Sequence, residues 1–411
     1  MAAESDQNRG LSRRGLLSGI ALGAGGLAVG GVTGYAAASE PSIDEASATA
    51  LGSETVDCFG THQAGIATPR QAHVTFIGLD LRREVNREAL VRMMQLLTDD
   101  IVRLTQGRPA LADPQPELAD VPARLTVTAG FGEGLLSAAG LETKSPYWLT
   151  AGLPGFKVDE LQPRWSDGDL MLQVAAEDPV TVSHAVRVLL TDARPFAKVR
   201  WAQSGFHRPA NTAPTSTTGR NLMGQVDGTI NPQPGTEDFD QVVWIPADGE
   251  PTWLQGGSSV VIRRIEMDLQ VWGGMDEMAK EEAIGRRLSD GAPLTGGDEF
   301  TAPDFQAVDA NGFEVIPATS HMRLAHAQDS TDRVFRRPYN YDDGVDEDGK
   351  PEAGLLFTAY MADPDAQFVP IQQRLADADV LNIWTTPIGS ALFAIPPGFS
   401  EGEYLGQTLL G

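Results

Sequence analysis

The sequence predicts an α+β protein built from two related ferredoxin-like halves, each an antiparallel sheet with packed helices, and three observations predict it. Segments with apolar residues at period 2 alternate with segments at helical spacing in the order βαββαβ, the split βαβ pattern. A similar element order returns in the second half, without persuasive residue identity between the two. At 411 residues and 41% apolar content, the chain is too long for one average domain and too apolar for disorder.

The elements follow in order. A polar start leads into Ser12-Arg13-Arg14-Gly15-Leu16-Leu17, then an apolar run to about Val32, then Ala36-Ala37-Ala38. This predicts a twin-arginine export signal over residues 1–38, cleaved after Ala38. A membrane anchor is the other reading, but seven glycines between Gly15 and Gly31 leave the run weakly hydrophobic. No stable membrane span is therefore expected after cleavage, and the expected destination is the periplasm, the cell envelope or the exterior. That route carries folded proteins, often with a cofactor already inserted, so the signal itself hints at a cofactor.

Residues 39–57 are small, polar and acidic and predict a flexible linker. The first half, 58–206, should hold strand 73–81, a helix over 88–105 with Leu90, Met93, Met94, Leu97 and Ile101 on one face, strands 124–129 and 170–175, helix 179–190 and strand 197–203. The second half, 207–411, should hold strand 260–267, a helical stretch over 277–287, strand 355–361, helix 366–375 and strand 391–395. Two irregular stretches, 207–241 and 291–320, are where chemistry is to be sought, because long structureless segments in compact domains are usually functional or disordered.

Composition removes several function classes. With 56 acidic against 31 basic residues, the chain repels phosphate backbones, so nucleic acid is not an expected partner. A single cysteine, Cys58, excludes an internal disulfide and any multi-thiolate zinc site, and reads as an ordinary packed thiol. None of the six histidines has the H-E-x-x-H spacing, and neither a G-x-S-x-G elbow nor a phosphate-cradling G-x-x-x-x-G-K-[ST] loop occurs.

Three local patterns remain. Gly224-Gln225-Val226-Asp227-Gly228-Thr229 holds a carboxylate between glycines, or is simply an aspartate capping its own turn. Ser320-His321-Met322-Arg323 presents a histidine that is either a ligand or a satisfied structural residue. Arg336-Arg337-Pro338-Tyr339-Asn340-Tyr341 is a pair of arginines that also reads as a solvated basic turn. None of the three decides anything separately.

Taken together, in this order and at this spacing, the three patterns resemble the dye-decolourising peroxidase family, in particular its twin-arginine-exported branch, which includes deferrochelatase-like peroxidases. Phe59-Gly60-Thr61-His62-Gln63-Ala64-Gly65-Ile66 is similar to that branch's opening motif, residues 253–272 to its central strand, and Gly354-Leu355-Leu356-Phe357 with Gln372-Gln373-Arg374-Leu375 to its last strand and helix. The resemblance covers about 59–397. It implies two ferredoxin-like modules enclosing one haem b per chain. It implies His321 as the proximal iron ligand, Asp227 as the distal acid-base residue and Arg336 as the distal arginine. Asp379 is the candidate carboxylate behind His321, and Phe357 a cofactor contact. Arg323 is either a partner for a haem propionate or one half of a surface ion pair. Two positions depart from the family pattern: His326-Ala327 stands where Asn-Pro is usual, which makes His326 a second candidate ligand, and Pro338 stands where Gly is usual.

The residue types suit the chemistry that the resemblance implies. Heterolysis of a peroxide needs a proton moved from the inner to the outer oxygen, which a poised carboxylate can do. A guanidinium, always protonated, can stabilise charge on the departing oxygen. An imidazole donates more strongly to iron when its other N–H meets a carboxylate. The implied function is reduction of hydrogen peroxide with one-electron oxidation of bulky organic donors such as dyes and phenols. Release of iron from haem is the alternative on the same scaffold, and a haem carrier without turnover is the alternative from another class. A carrier needs no distal acid-base pair, and both Asp227 and Arg336 are present. An iron-uptake partner and a homo-oligomer are left open.

Overall fold

The computed structural model describes residues 51–210, 212–214, 217–328 and 331–411. The expected export signal and residues 39–50 of the expected linker lie outside the described residues. Strand alternation starts the fold. In β1 (His73–Leu81), Val74 and Phe76 turn to one buried face, and Ile77 and Leu79 to the other. Two helices cover the second face. In α1 (Arg87–Leu104) the side chain of Asn86 caps the first turn by accepting from the Ala89 N–H, and the five expected apolar residues are all buried. In α2 (Pro179–Ala193) Asp178 caps and Pro179 opens the first turn, where its missing N–H costs nothing. With β2 (Thr126–Phe131), β3 (Leu170–Ala176) and β4 (Ala197–Phe206), the first sheet takes the order β2-β3-β1-β4, antiparallel throughout.

The second half repeats this order with two strands more than its periodicity shows, one of them only two residues long. It comprises β5 (Ser258–Met267), α3 (Glu277–Ile284), α4 (His321–Ala325), β6 (Phe335–Arg336), β7 (Tyr339–Val345), β8 (Pro351–Met361), α5 (Pro364–Ala378) and β9 (Thr385–Ile395). The sheet runs β9-β5-β8-β7, the same 4-1-3-2 pattern as the first, with β6 on the same edge of β8 as β7. The stretch that also reads as a basic turn thus begins the longer missing strand: Tyr339, Asn340 and Tyr341 are buried, while the acidic residues after them are exposed and hide it.

The two sheets meet at both edges through single pairings, Phe131 with Ala394 and Phe206 with Asn340, and so close into a ring. Val74, Phe76, Val260, Ile262, Tyr360 and Phe393 fill its interior. Residues near the expected linker end join the first half, because the carbonyls of Gly52 and Glu54 accept from the N–H groups of Ala123 and Arg124. Among the described residues no helix is long and apolar enough to cross a membrane.

The outward faces of the two sheets differ. On the first, α1 and α2 pack directly onto the strands. On the second, the chain after β5 breaks into Leu269–Gly273 and Glu277–Ile284, and a cavity of about 390 Å³ separates the strands from their covering segments. Every residue lining it falls between 221 and 387, so the cavity belongs to the second half.

Candidate active site

The cavity floor is set by period-2 alternation: Ile265 and Met267 from β5 and Leu355 and Phe357 from β8 face it, and Phe368 and Leu375 of α5 form one wall. Its volume falls in the range of ligand sites, which are roughly 300–1,000 Å³ and mostly apolar with a few polar groups.

His321 is the first residue of α4 and lines this cavity. Its Nδ1 lies 2.6 Å from Oδ2 of Asp379, the residue that ends α5, whose other oxygen accepts from the Leu381 N–H. With Asp379 almost fully buried, Nδ1–H donates to the carboxylate and Nε2 keeps its lone pair. Burial works to lower the pKa of His321, but attraction to Asp379 and the hydrogen bond outweigh it, and the net direction is upward.

Asp227 and Arg336, 109 residues apart, are brought together by tertiary structure. Arg336 Nη1 donates to Asp227 Oδ1 at 2.6 Å, and both line the cavity. The Asp227 N–H donates to the Gly219 carbonyl, and Gly228 takes a φ of +125°, which a side chain would resist. Asn231 closes the arrangement: its amide donates to the Arg336 carbonyl at 2.6 Å and accepts from the Arg336 N–H at 3.1 Å. The loop that carries the carboxylate is thereby tied to the strand that carries the guanidinium. Arg336 and Asp227 also act on the His321 ring with opposite sign, so all three share one electrostatic environment.

Of the other expected residues, Asp379 and Phe357 line the cavity, Phe357 with its ring 5.9 Å from Phe368. Arg323 does not line it: the guanidinium lies 2.9 Å from Glu314 and donates to the Ile316 carbonyl. His326 lines the cavity, packed edge-on against Phe305 at 5.1 Å. Tyr339 and Tyr341, close in sequence to Arg336, are buried inside the ring of sheets.

Sequence reasoning missed Asn231 and Arg286. Arg286 is a buried arginine of the cavity wall that donates to the carbonyls of Gly291 and Glu299, and burial holds its pKa below the usual range. Its only sequence signal is Gly285, which ends α3 at φ +87° and swings the chain into the second irregular stretch.

The residues fit haem. His321 offers the cavity an imidazole whose Nε2, in the tautomer set by Asp379, is free of protein partners among the described residues, a donor that would suit an iron bringing further ligands of its own. The apolar floor suits a macrocycle, and the Gln225 amide nitrogen on the cavity wall is buried without a partner.

The family profile described as Dyp-type peroxidase, N-terminal, matches residues 63–207, and that described as Dyp-type peroxidase, C-terminal, matches 218–400. A dye-decolorizing peroxidase of Thermobifida fusca is 40% identical over all of both chains, and a deferrochelatase of Yersinia pestis is 33% identical over 97% of this chain and 95% of that protein. A DyP-type peroxidase crystal structure from Cellulomonas bogoriensis shares 50% identity and a TM-score of 0.85, covering 88% of this chain and 99% of its own. One from Streptomyces coelicolor shares 42% identity and the same TM-score, covering 88% and 98%. Both profiles, relatives matched along their whole length and the solved structures agree: the chain belongs to the Dyp-type peroxidase family and is a haem-dependent peroxidase.

Proposed function

We propose that the cavity takes one haem b per chain with His321 on the iron, and that the protein, exported by the twin-arginine route to the periplasm, envelope or exterior, reduces hydrogen peroxide while oxidising bulky organic donors by single electrons. The observation that carries this reading is that His321–Asp379 and Asp227–Arg336 line the same cavity, each pair joined at 2.6 Å. A haem carrier needs the first pair and has no use for the second.

Haem supplies the two-electron reduction of the peroxide O–O bond. The protein's own part is positioning and proton transfer. Asp379 fixes the tautomer of His321 and strengthens it as a donor. Asp227 takes the proton from the inner peroxide oxygen and delivers it to the outer one, which departs as water. Arg336 orients the Asp227 carboxylate for this transfer and stabilises charge on the departing oxygen. Asn231 keeps carboxylate and guanidinium in register.

The test is the visible absorption spectrum of the haem-loaded protein before and after one equivalent of hydrogen peroxide. A Soret band that shifts within seconds is expected. A Soret band that ignores peroxide overturns the reading in favour of carriage, and no Soret band overturns haem binding. Removing a general acid-base group typically costs about 10²–10⁴ in rate, so Asp227→Asn and Arg336→Leu should retain the Soret band and slow its shift by that order. Full rate in both variants would sink the assignment.

A further inference from the structure

A second cavity, of about 330 Å³, lies outside the haem site and is lined by His62, Trp244, Asp57 and Asp240 among others. His62 belongs to the Phe59–Ile66 motif, to which no part of the peroxide chemistry above gives a role. The imidazole lies flat on the Trp244 indole, 3.9 Å between centroids and 5° from parallel. His62 Nδ1 is 2.6 Å from the Gly256 carbonyl oxygen, so Nδ1 carries the proton and donates, and Nε2 is left as an acceptor. Asp57 and Asp240 are carboxylates of the lining, which holds no lysine or arginine among the described residues. An aromatic floor with two carboxylates suits an aromatic molecule that carries a positive charge.

The same indole begins a line of ring contacts toward the haem site. Trp244 meets Phe239 edge-on at 5.8 Å, Phe239 meets Phe335 at 4.9 Å, and Phe335 is followed by Arg336 of the peroxide cavity. Only the indole is readily oxidised; the phenyl rings connect it by contact.

Resting on the peroxidase reading, we propose that this cavity is an electron-donor site for phenols bearing a cationic side chain. The cation pairs with Asp57 and Asp240, and the phenol ring lies against His62 and Trp244. In the oxidation step the phenol O–H bond breaks: its proton goes to His62 Nε2, and one electron goes to Trp244 and onward to the haem cavity. The product is a phenoxyl radical. His62 returns its proton to solvent after each event, so two events supply two electrons and, through solvent, the two protons that turn one hydrogen peroxide into two waters, the peroxide being the oxidant.

The experiment compares tyramine, a cationic phenol, with 3-(4-hydroxyphenyl)propionate, its anionic counterpart, on the haem-loaded full chain. Calorimetric titration without peroxide measures binding, and steady-state turnover measures KM and kcat. Asp57→Asn/Asp240→Asn should raise the tyramine Kd and KM about tenfold and leave those of the propionate unchanged or lower. Trp244→Phe, which keeps an aromatic floor, should lower the tyramine kcat about tenfold or more with its Kd within about twofold. An unchanged tyramine Kd in the double variant, equal losses for both phenols, or an unchanged kcat in Trp244→Phe overturns the site and leaves the peroxidase reading standing. Tyramine binding that follows the carboxylates in a protein that turns over neither phenol overturns the peroxidase reading and the electron path with it.

Discussion

Asp379 is the smallest unit on which the geometry around His321 depends. It holds His321 through one oxygen and the start of the next turn, at the Leu381 N–H, through the other, so one carboxylate orients the imidazole and ends a helix. Loss of such an outer-shell partner typically costs about 10–100-fold in metal affinity or activity. Asp379→Asn should therefore weaken haem binding on that scale in a titration of the haem-free protein followed at the Soret band. Equal affinity for wild type and variant would mean that the backbone alone sets the ring. His321, Asp227 and Arg336 are legible in the amino-acid sequence because each sits in a short motif, and Asp379 is legible as a carboxylate that could back the imidazole. Arg323 is not decidable from sequence, because a guanidinium two residues along a helix from His321 can face the cavity or the solvent. Asn231 and Arg286 are invisible there as site residues because their partners are main-chain groups, and no motif records a carbonyl or a backbone N–H.

At the scale of elements, α1 and α2 show how a helix pair can carry a pH response. Asp100 of α1 is buried and shares a hydrogen bond with Asp192 of α2; burial first, and then that neighbour, push its pKa up from 3.8 to about 8. The folded state thus holds this proton more tightly than the unfolded chain. By linkage, its contribution is fully present below the unfolded value and is lost as pH rises through the folded one, between about 4 and about 8. Asp100→Asn should flatten that part of the profile and raise the melting temperature at the alkaline end relative to wild type. Melting curves across this range with parallel slopes for the two proteins would refute the pairing. The element order is readable in the sequence because helical and strand periodicities differ. The fourth strand of the second half is not, because β7 pairs through a short buried segment and its remaining residues are exposed and acidic.

At the scale of the whole molecule, the four strands of the first sheet and the five of the second are held in one ring by two narrow seams. At the seam between β4 and β7, Gly205 lies so close to its neighbour that an added Cβ would come within 2.8 Å of Tyr339 Cβ and 3.1 Å of the Asn340 carbonyl oxygen. Glycine is required there by the approach of the backbones. Overpacking of this kind costs typically about 1–3 kcal/mol, so Gly205→Ala should lower the urea midpoint accordingly, and an unchanged midpoint would show that the seam is loose. Because β7 begins three residues after Arg336, the same variant should also slow the peroxide-dependent Soret shift. The first half further reaches across to the second. The N–H groups of Glu160, Gln162 and Asp167 donate to carbonyls of β9, and Arg263 of β5 is buried in an ion pair with Asp159.

Local facts are written in the sequence alone: where most strands and helices lie, that two halves share one element order, that zinc-protease and nucleotide motifs are absent, and which histidine, aspartates and arginine stand in motifs that nominate them for the site. They are legible because periodicity, capping and motif spacing act over a few residues. Folding in three dimensions was needed to put the cavity on the outer face of the second sheet, where the helix after β5 breaks and leaves the strands uncovered. It also placed Asp227 against Arg336, 109 residues away, set Arg323 against Glu314 instead of the cavity, and stacked His62 on Trp244. The physical reason is that such contacts join residues whose separation in sequence carries no periodic signal, and they arise only when the sheets close and bury the surfaces between them.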